Sequence, residues 1–216
     1  MNIAILLFDR FTALDAIGPY EVLSRLRGAR VTFAAADRGP VTCDTGMLSL
    51  VAEVAIAEIP RPDIVLVPGG PGQEEQLADG PVDEWLRAAD STSSWTASVC
   101  TGSLILGAAG LLEGRRATSH WLALPRLAAY GATPVSHRVV IDGKYITGAG
   151  VSAGIDLALQ LAGRIDGQTA AEAIQLMVEY DPQPPYGAGS PQTAPADLVA
   201  RLRADSRHST AGRAAG

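Results

Sequence analysis

Ser98-Val99-Cys100-Thr101-Gly102-Ser103-Leu104-Ile105-Leu106 joins a short apolar run to a helix-like segment, with a cysteine at the junction. A side chain at such a strand-to-helix turn is pushed out of both elements. The helix that follows aims backbone N–H groups and the positive end of its dipole at it. That setting is expected to ease loss of the thiol proton, as a nucleophile requires. A buried structural cysteine is the alternative, since free cysteine is among the most buried residue types.

Outward from this junction, apolar runs of strand length alternate with segments of helical period. Ile3–Phe8, Arg30–Ala35, Asp63–Val67 and Thr96–Val99 read as strands. Ala16–Arg25, Val82–Ala89, Gly102–Leu112, Ser152–Arg164 and Gln168–Tyr180 read as helices, with a shorter one over Asp197–Arg203. Ala117–Ser119 leads into a further helix around Trp121–Tyr130. Asp44-Thr45-Gly46 and Asp142-Gly143 are turn signals. They predict hairpins of Val41–Cys43 with Leu48–Val51, and of Arg138–Ile141 with Lys144–Thr147. Continuous apolar strands separated by helices predict an α/β fold, a mostly parallel sheet with helices on both faces. Ligands then bind beyond the carboxyl ends of the strands. Pro68–Gly72, Cys100 and Gly148–Gly150 all sit at such ends. One domain is expected over residues 1–205, including a Pro/Gly-rich arm at 181–191 packed on the body or on a partner. A frayed tail is expected over 206–216.

The chain has 216 residues, 47% of them hydrophobic, enough for one well-filled core. A net charge of −6 and a single lysine, Lys144, argue against nucleic acid as a partner. No apolar run is long enough to span a bilayer, so no membrane partner is expected. Cys43 and Cys100 are too few for a disulfide framework and form no CxxC; Cys43 is read as structural. Met1–Phe8 has no basic region or cleavage site and reads as a first strand, which makes a cytoplasmic, reducing setting the expectation. No His/Cys/Asp spacing suits a metal, and no glycine loop matches a nucleotide motif, so neither metal nor cofactor is expected.

Several residues are candidates to act with Cys100. Asp15, in Leu14-Asp15-Ala16-Ile17-Gly18-Pro19, either caps a helix or sets a carboxyl over the same crevice. In Pro68-Gly69-Gly70-Pro71-Gly72 the prolines cannot donate, which leaves the glycine N–H groups. Gly70 and Thr101 N–H groups together would form an oxyanion-type pocket, with Gly72 beside it. A plain turn is the alternative. His120, after another strand, would orient or deprotonate Cys100, or else serve as a hydrogen-bonded structural residue.

Taken together these segments resemble the DJ-1/PfpI superfamily, from Met1 to about Pro191. The matching pieces are Ile5–Phe8, Leu14–Leu23, Val67–Gly72, Ser98–Gly102, Ala117–Trp121 and Ile146–Gly150. The resemblance implies a flavodoxin-like sandwich with the cysteine at a nucleophile elbow, a small-molecule substrate and a homodimer. Asp15 stands where DJ-1 carries a glutamate. Thr101 stands where the protease-like members carry a histidine. With Tyr180-Asp181-Pro182-Gln183-Pro184-Pro185-Tyr186, these features are similar to the isonitrile hydratases of the superfamily. That similarity implies a lyase that adds water to an isonitrile through a Cys100 thioimidate, with Asp15 as acid and base and Thr101 orienting the water. Glyoxalase, deglycase or amidase chemistry on another small electrophile is the nearest alternative, and a cysteine redox sensor the next.

Overall fold

In the computed structural model the described residues are 1–206. The expected frayed tail therefore lies outside them, apart from Ser206. In chain order the elements are β1 (Asn2–Leu6), α1 (Ala13–Leu23), β2 (Arg30–Ala35), β3 (Gly39–Thr42), β4 (Ser49–Ala52), β5 (Val54–Ala55) and β6 (Ile64–Val67). Next come α2 (Pro81–Asp90), β7 (Trp95–Val99), α3 (Gly102–Ala108), β8 (Arg116–Ala117) and β9 (Thr133–Pro134). The chain continues through β10 (Val139–Asp142), β11 (Tyr145–Gly148), α4 (Ala153–Asp166), α5 (Gln168–Met177) and α6 (Ala196–Ala204).

Seven strands form one sheet in the order β10-β11-β7-β6-β1-β2-β5. Every neighbouring pair is parallel except β10 with β11. β6 is buried along its whole length and β1 after its first residue, which explains their unbroken apolar sequences. The order reverses at β1, and the crevice beside such a reversal is where open parallel sheets take ligands. Register carries the strand ends to one rim: Ile5 pairs with Leu66, Val67 with Ser98, and Val99 with Gly148. The loops at Phe8–Thr12, Pro68–Gly70, Cys100 and Ala149–Val151 therefore meet.

Several elements differ from the sequence reading. The first helix starts at Ala13, ahead of the expected Ala16, and Pro19 lies inside it, packed against Gly154 of α4. The segment after His120 is a 3-10 helix, Leu124–Tyr130; Pro125 enters in its first turn and Gly131, at φ 72°, ends it. α5 stops at Met177, ahead of Glu179 at φ 51°. β5, β8 and β9 span two residues each, too short to leave a period in the sequence. Tyr186, in the arm, is exposed, and just past the arm Gln192 Nε2 donates to Ser136 Oγ (3.2 Å). Cys43 is buried, bridged to Phe11 and next to the Thr45 hydroxyl. Among the described residues no helix is long and apolar enough to cross a membrane.

Candidate active site

Cys100 sits at the end of β7 with φ 58°, a left-handed conformation that costs an L-residue about 1–2 kcal/mol. The surroundings hold it there from several sides. Its N–H donates to the carbonyls of Gly148 (3.0 Å) and Ala149 (2.9 Å). Its carbonyl accepts from Ser103 Oγ (3.2 Å) and Ser119 Oγ (3.0 Å). α3 can leave the elbow so steeply because Gly102 has no side chain: a Cβ there would stand 2.2 Å from the Val67 carbonyl oxygen.

Asp15 lies in the first turn of α1, after Thr12, and is fully buried. It is therefore not the helix cap. Its Oδ2 accepts the Gly69 N–H at 2.9 Å, and the carboxylate also interacts with the Cys100 thiol. The carboxyl lies close enough to the Cys100 thiol for each to shift the other's titration. Burial is the main effect on Asp15, with a contribution from Asp44, and raises its pKa to about 7 despite the Gly69 N–H. Burial also pushes the thiol up, well above its ordinary range, and the Asp15 charge adds to this. The Thr101 and Val151 N–H groups oppose both effects.

The expectation of an easily ionised thiol is thus overturned. Cys100 is 2% exposed, and helix-end N–H groups do not offset loss of water plus a neighbouring carboxylate. The resting pair keeps its proton on sulfur when Asp15 is ionised. Thiol with carboxylate, and thiolate with carboxylic acid, hold the same number of protons. The proton therefore belongs to the pair as a whole.

The glycine loop is placed differently from expectation. The Gly70 N–H donates to Thr101 Oγ1 (2.9 Å) and the Gly72 N–H to the Arg10 carbonyl (3.3 Å). Both are engaged within the protein, so the paired Gly70 and Thr101 donors are not the arrangement found. The Thr101 hydroxyl is buried and clamps the loop to the elbow instead of facing water. Gly69 is the point of closest approach. A Cβ there would stand 2.5 Å from Thr101 N and 2.6 Å from Thr101 Oγ1. Gly69→Ala is accordingly expected to displace the elbow, lower stability by about 1–3 kcal/mol and remove most activity. Thermal unfolding and an activity assay on one preparation check this.

The chain matches the DJ-1/PfpI family over residues 1–164. It belongs to the DJ-1/PfpI family. It is 44% identical to isonitrile hydratase of Pseudomonas putida over 203 residues, 94% of this chain and 89% of that one. It is 29% identical to the glutathione-independent glyoxalase DJR-1.2 of Caenorhabditis elegans, over 71% of this chain and 82% of that one. Among solved structures, a ThiJ/PfpI family protein from Pseudomonas syringae superposes with a TM-score of 0.89 at 40% identity, covering 98% of this chain and 90% of that one.

On this DJ-1/PfpI scaffold the groups acting on the Cys100 thiol are Asp15 and the N–H groups of Thr101 and Val151. His120 is packed against Gly150, where a Cβ would stand 2.8 Å from its ring carbon, and its Nδ1 accepts the Leu122 N–H at 3.4 Å. It backs the loop that carries Val151. Sequence reasoning missed Val151, Ser119 and Asp44. Val151 and Asp44 looked like loop and turn residues, and Ser119 touches only the Cys100 main chain. Asp44 reaches the site because the Thr12 hydroxyl donates to its carboxylate (2.9 Å), which brings the β3–β4 turn over α1.

Proposed function

We propose that the protein hydrates isonitriles to N-substituted formamides. The observation that carries this is the buried Asp15–Cys100 pair, a carboxyl and a thiol in hydrogen-bond contact. The resemblance to an isonitrile hydratase at 44% identity supports it.

The terminal carbon of an isonitrile has a lone pair and also accepts a nucleophile. It therefore needs a proton and a thiolate at one atom. Asp15 takes the thiol proton and passes it to that carbon as Cys100 sulfur bonds to it, giving the thioimidate R–N=CH–S–Cys. Asp15, again a carboxylate, takes a proton from water. Hydroxide adds to the carbon, and Asp15 gives the proton it took from water to the nitrogen. The C–S bond then breaks, the carbonyl forms, and the hydroxyl proton returns to sulfur. The sum is one isonitrile plus one water to one formamide. Thr101 and Gly69 act as positioning residues, holding the elbow and the carboxyl in register.

A redox-sensor role is second to this, because oxidation favours exposed thiolates and this thiol is buried. A reducing, cytoplasmic setting suits the two free cysteines. A homodimer is proposed through the exposed apolar side chains Leu14, Met47, Leu48 and Val51 at the site end of the molecule. Sedimentation should then give twice 22.4 kDa.

The test is conversion of cyclohexyl isocyanide, followed by loss of the isonitrile stretch and appearance of the formyl proton. Formamide produced in step with isonitrile consumed is expected. Consumption of methylglyoxal with no isonitrile turnover would replace this reading with glyoxalase chemistry.

A further inference from the structure

A cavity of about 420 Å³ lies beside the elbow, separated from Cys100 by residues that line the one and touch the other. Three of its lining residues touch that cysteine: Ser119 and Ala149 at its main chain, Val151 through its N–H at the sulfur. A small alkyl isonitrile would leave most of this space unfilled. Cavities of this size enclose ligands bearing a ring.

The walls are of two kinds. Trp121 and Leu124 supply apolar faces. Ala149, Val151 and Pro191 add to these, and among the described lining residues there is no Asp or Glu, in a chain whose net charge is −6. His120, His137 and Arg138 bring two imidazoles and a guanidinium to the lining. Gly150–Ser152 place the N-terminus of the 14-residue helix α4 at the same wall. Arg138 is paired with Asp156, which takes up part of its charge. Arg203 of α6 stands over the Trp121 ring at 5.7 Å. The outer wall is the returning C-terminal segment, Gly189–Gln192, tied down through Gln192 and Ser136.

We propose, resting on the hydration reading, that this cavity takes the N-substituent of the substrate, and that the substituent is a ring bearing a carboxylate. The ring lies against Trp121 and Leu124. The carboxylate meets the His137, Arg138 and helix-terminus end, with Arg203 adding positive potential from above. The C-terminal segment thereby becomes part of substrate selection.

Two matched pairs of probes test this on the full-length protein. The substrates are 4-isocyanobenzoate and the neutral 4-isocyanobenzamide. The products are 4-formamidobenzoate and 4-formamidobenzamide, titrated calorimetrically. The carboxylates are expected to be preferred by about tenfold, in KM for the substrates and in Kd for the products, with kcat little changed. Added salt and Arg203→Gln should both reduce the preference. Equal or better binding of the neutral amides overturns the proposal, even if both isonitriles are hydrated. If 4-formamidobenzoate binds preferentially while neither isonitrile is consumed, the hydration reading falls and the anion-selecting cavity stands.

Discussion

Cys100→Ala is expected to lower isonitrile hydration by at least about a thousandfold, because the covalent step needs the Cys100 sulfur. The variant should fold. Alanine loses only the sulfur, and the hydrogen bonds that hold the elbow go to the Cys100 main chain. Cys43→Ala is the control. Cys43 lies by the β3–β4 turn, bridged to Phe11, and its loss should affect stability more than turnover. Trapping the wild-type intermediate and measuring intact mass adds a second readout: the thioimidate adds the whole mass of the isonitrile to Cys100. Retention of more than a tenth of the activity in Cys100→Ala would exclude the mechanism proposed here.

Asp15→Asn is expected to abolish turnover and, above neutral pH, to make the protein more stable than the wild type. Asparagine can still accept the Gly69 N–H but cannot carry the thiol proton to the substrate. The stability effect follows from linkage. In the unfolded chain Asp15 ionises near its ordinary value of 3.8, while in the folded protein it keeps its proton to about 7. Between those values the folded state binds more protons, so this residue's contribution is full at low pH and is lost as pH rises toward 7. The loss runs at about 1.4 kcal/mol per pH unit and amounts to a few kcal/mol by pH 8. Asparagine has no such dependence. Denaturant midpoints of both proteins at pH 5 and pH 8 measure the difference, and parallel curves at the two pH values would contradict it. The rate has the matching dependence. The reactive pair carries one proton between sulfur and carboxyl, so kcat/KM should rise with pH through about 7. These two results would describe one trade: the carboxyl buried against the thiol destabilises the fold at working pH and supplies the proton transfer.

The alternation of apolar runs with helical segments was enough to determine a mostly parallel sheet, because strand and helix leave local periods in the residues that form them. The Ser98–Gly102 junction and the Leu14–Pro19 segment likewise marked Cys100 and Asp15 as site candidates, since turn chemistry and residue type are local properties. The chain order alone did not determine how the glycine loop serves the site. Register sets Gly69 against Asp15, 54 residues away, and Gly70 against Thr101, 31 residues away, so N–H groups expected to face a ligand face the protein. Nor did it reveal Val151, which reaches the sulfur only because β11 ends beside β7. The largest reversal was the thiol. A helix end suggested easy ionisation, but burial and the Asp15 charge act on it through the assembled core. Desolvation depends on what surrounds a group from every direction, and only the tertiary structure supplies those surroundings.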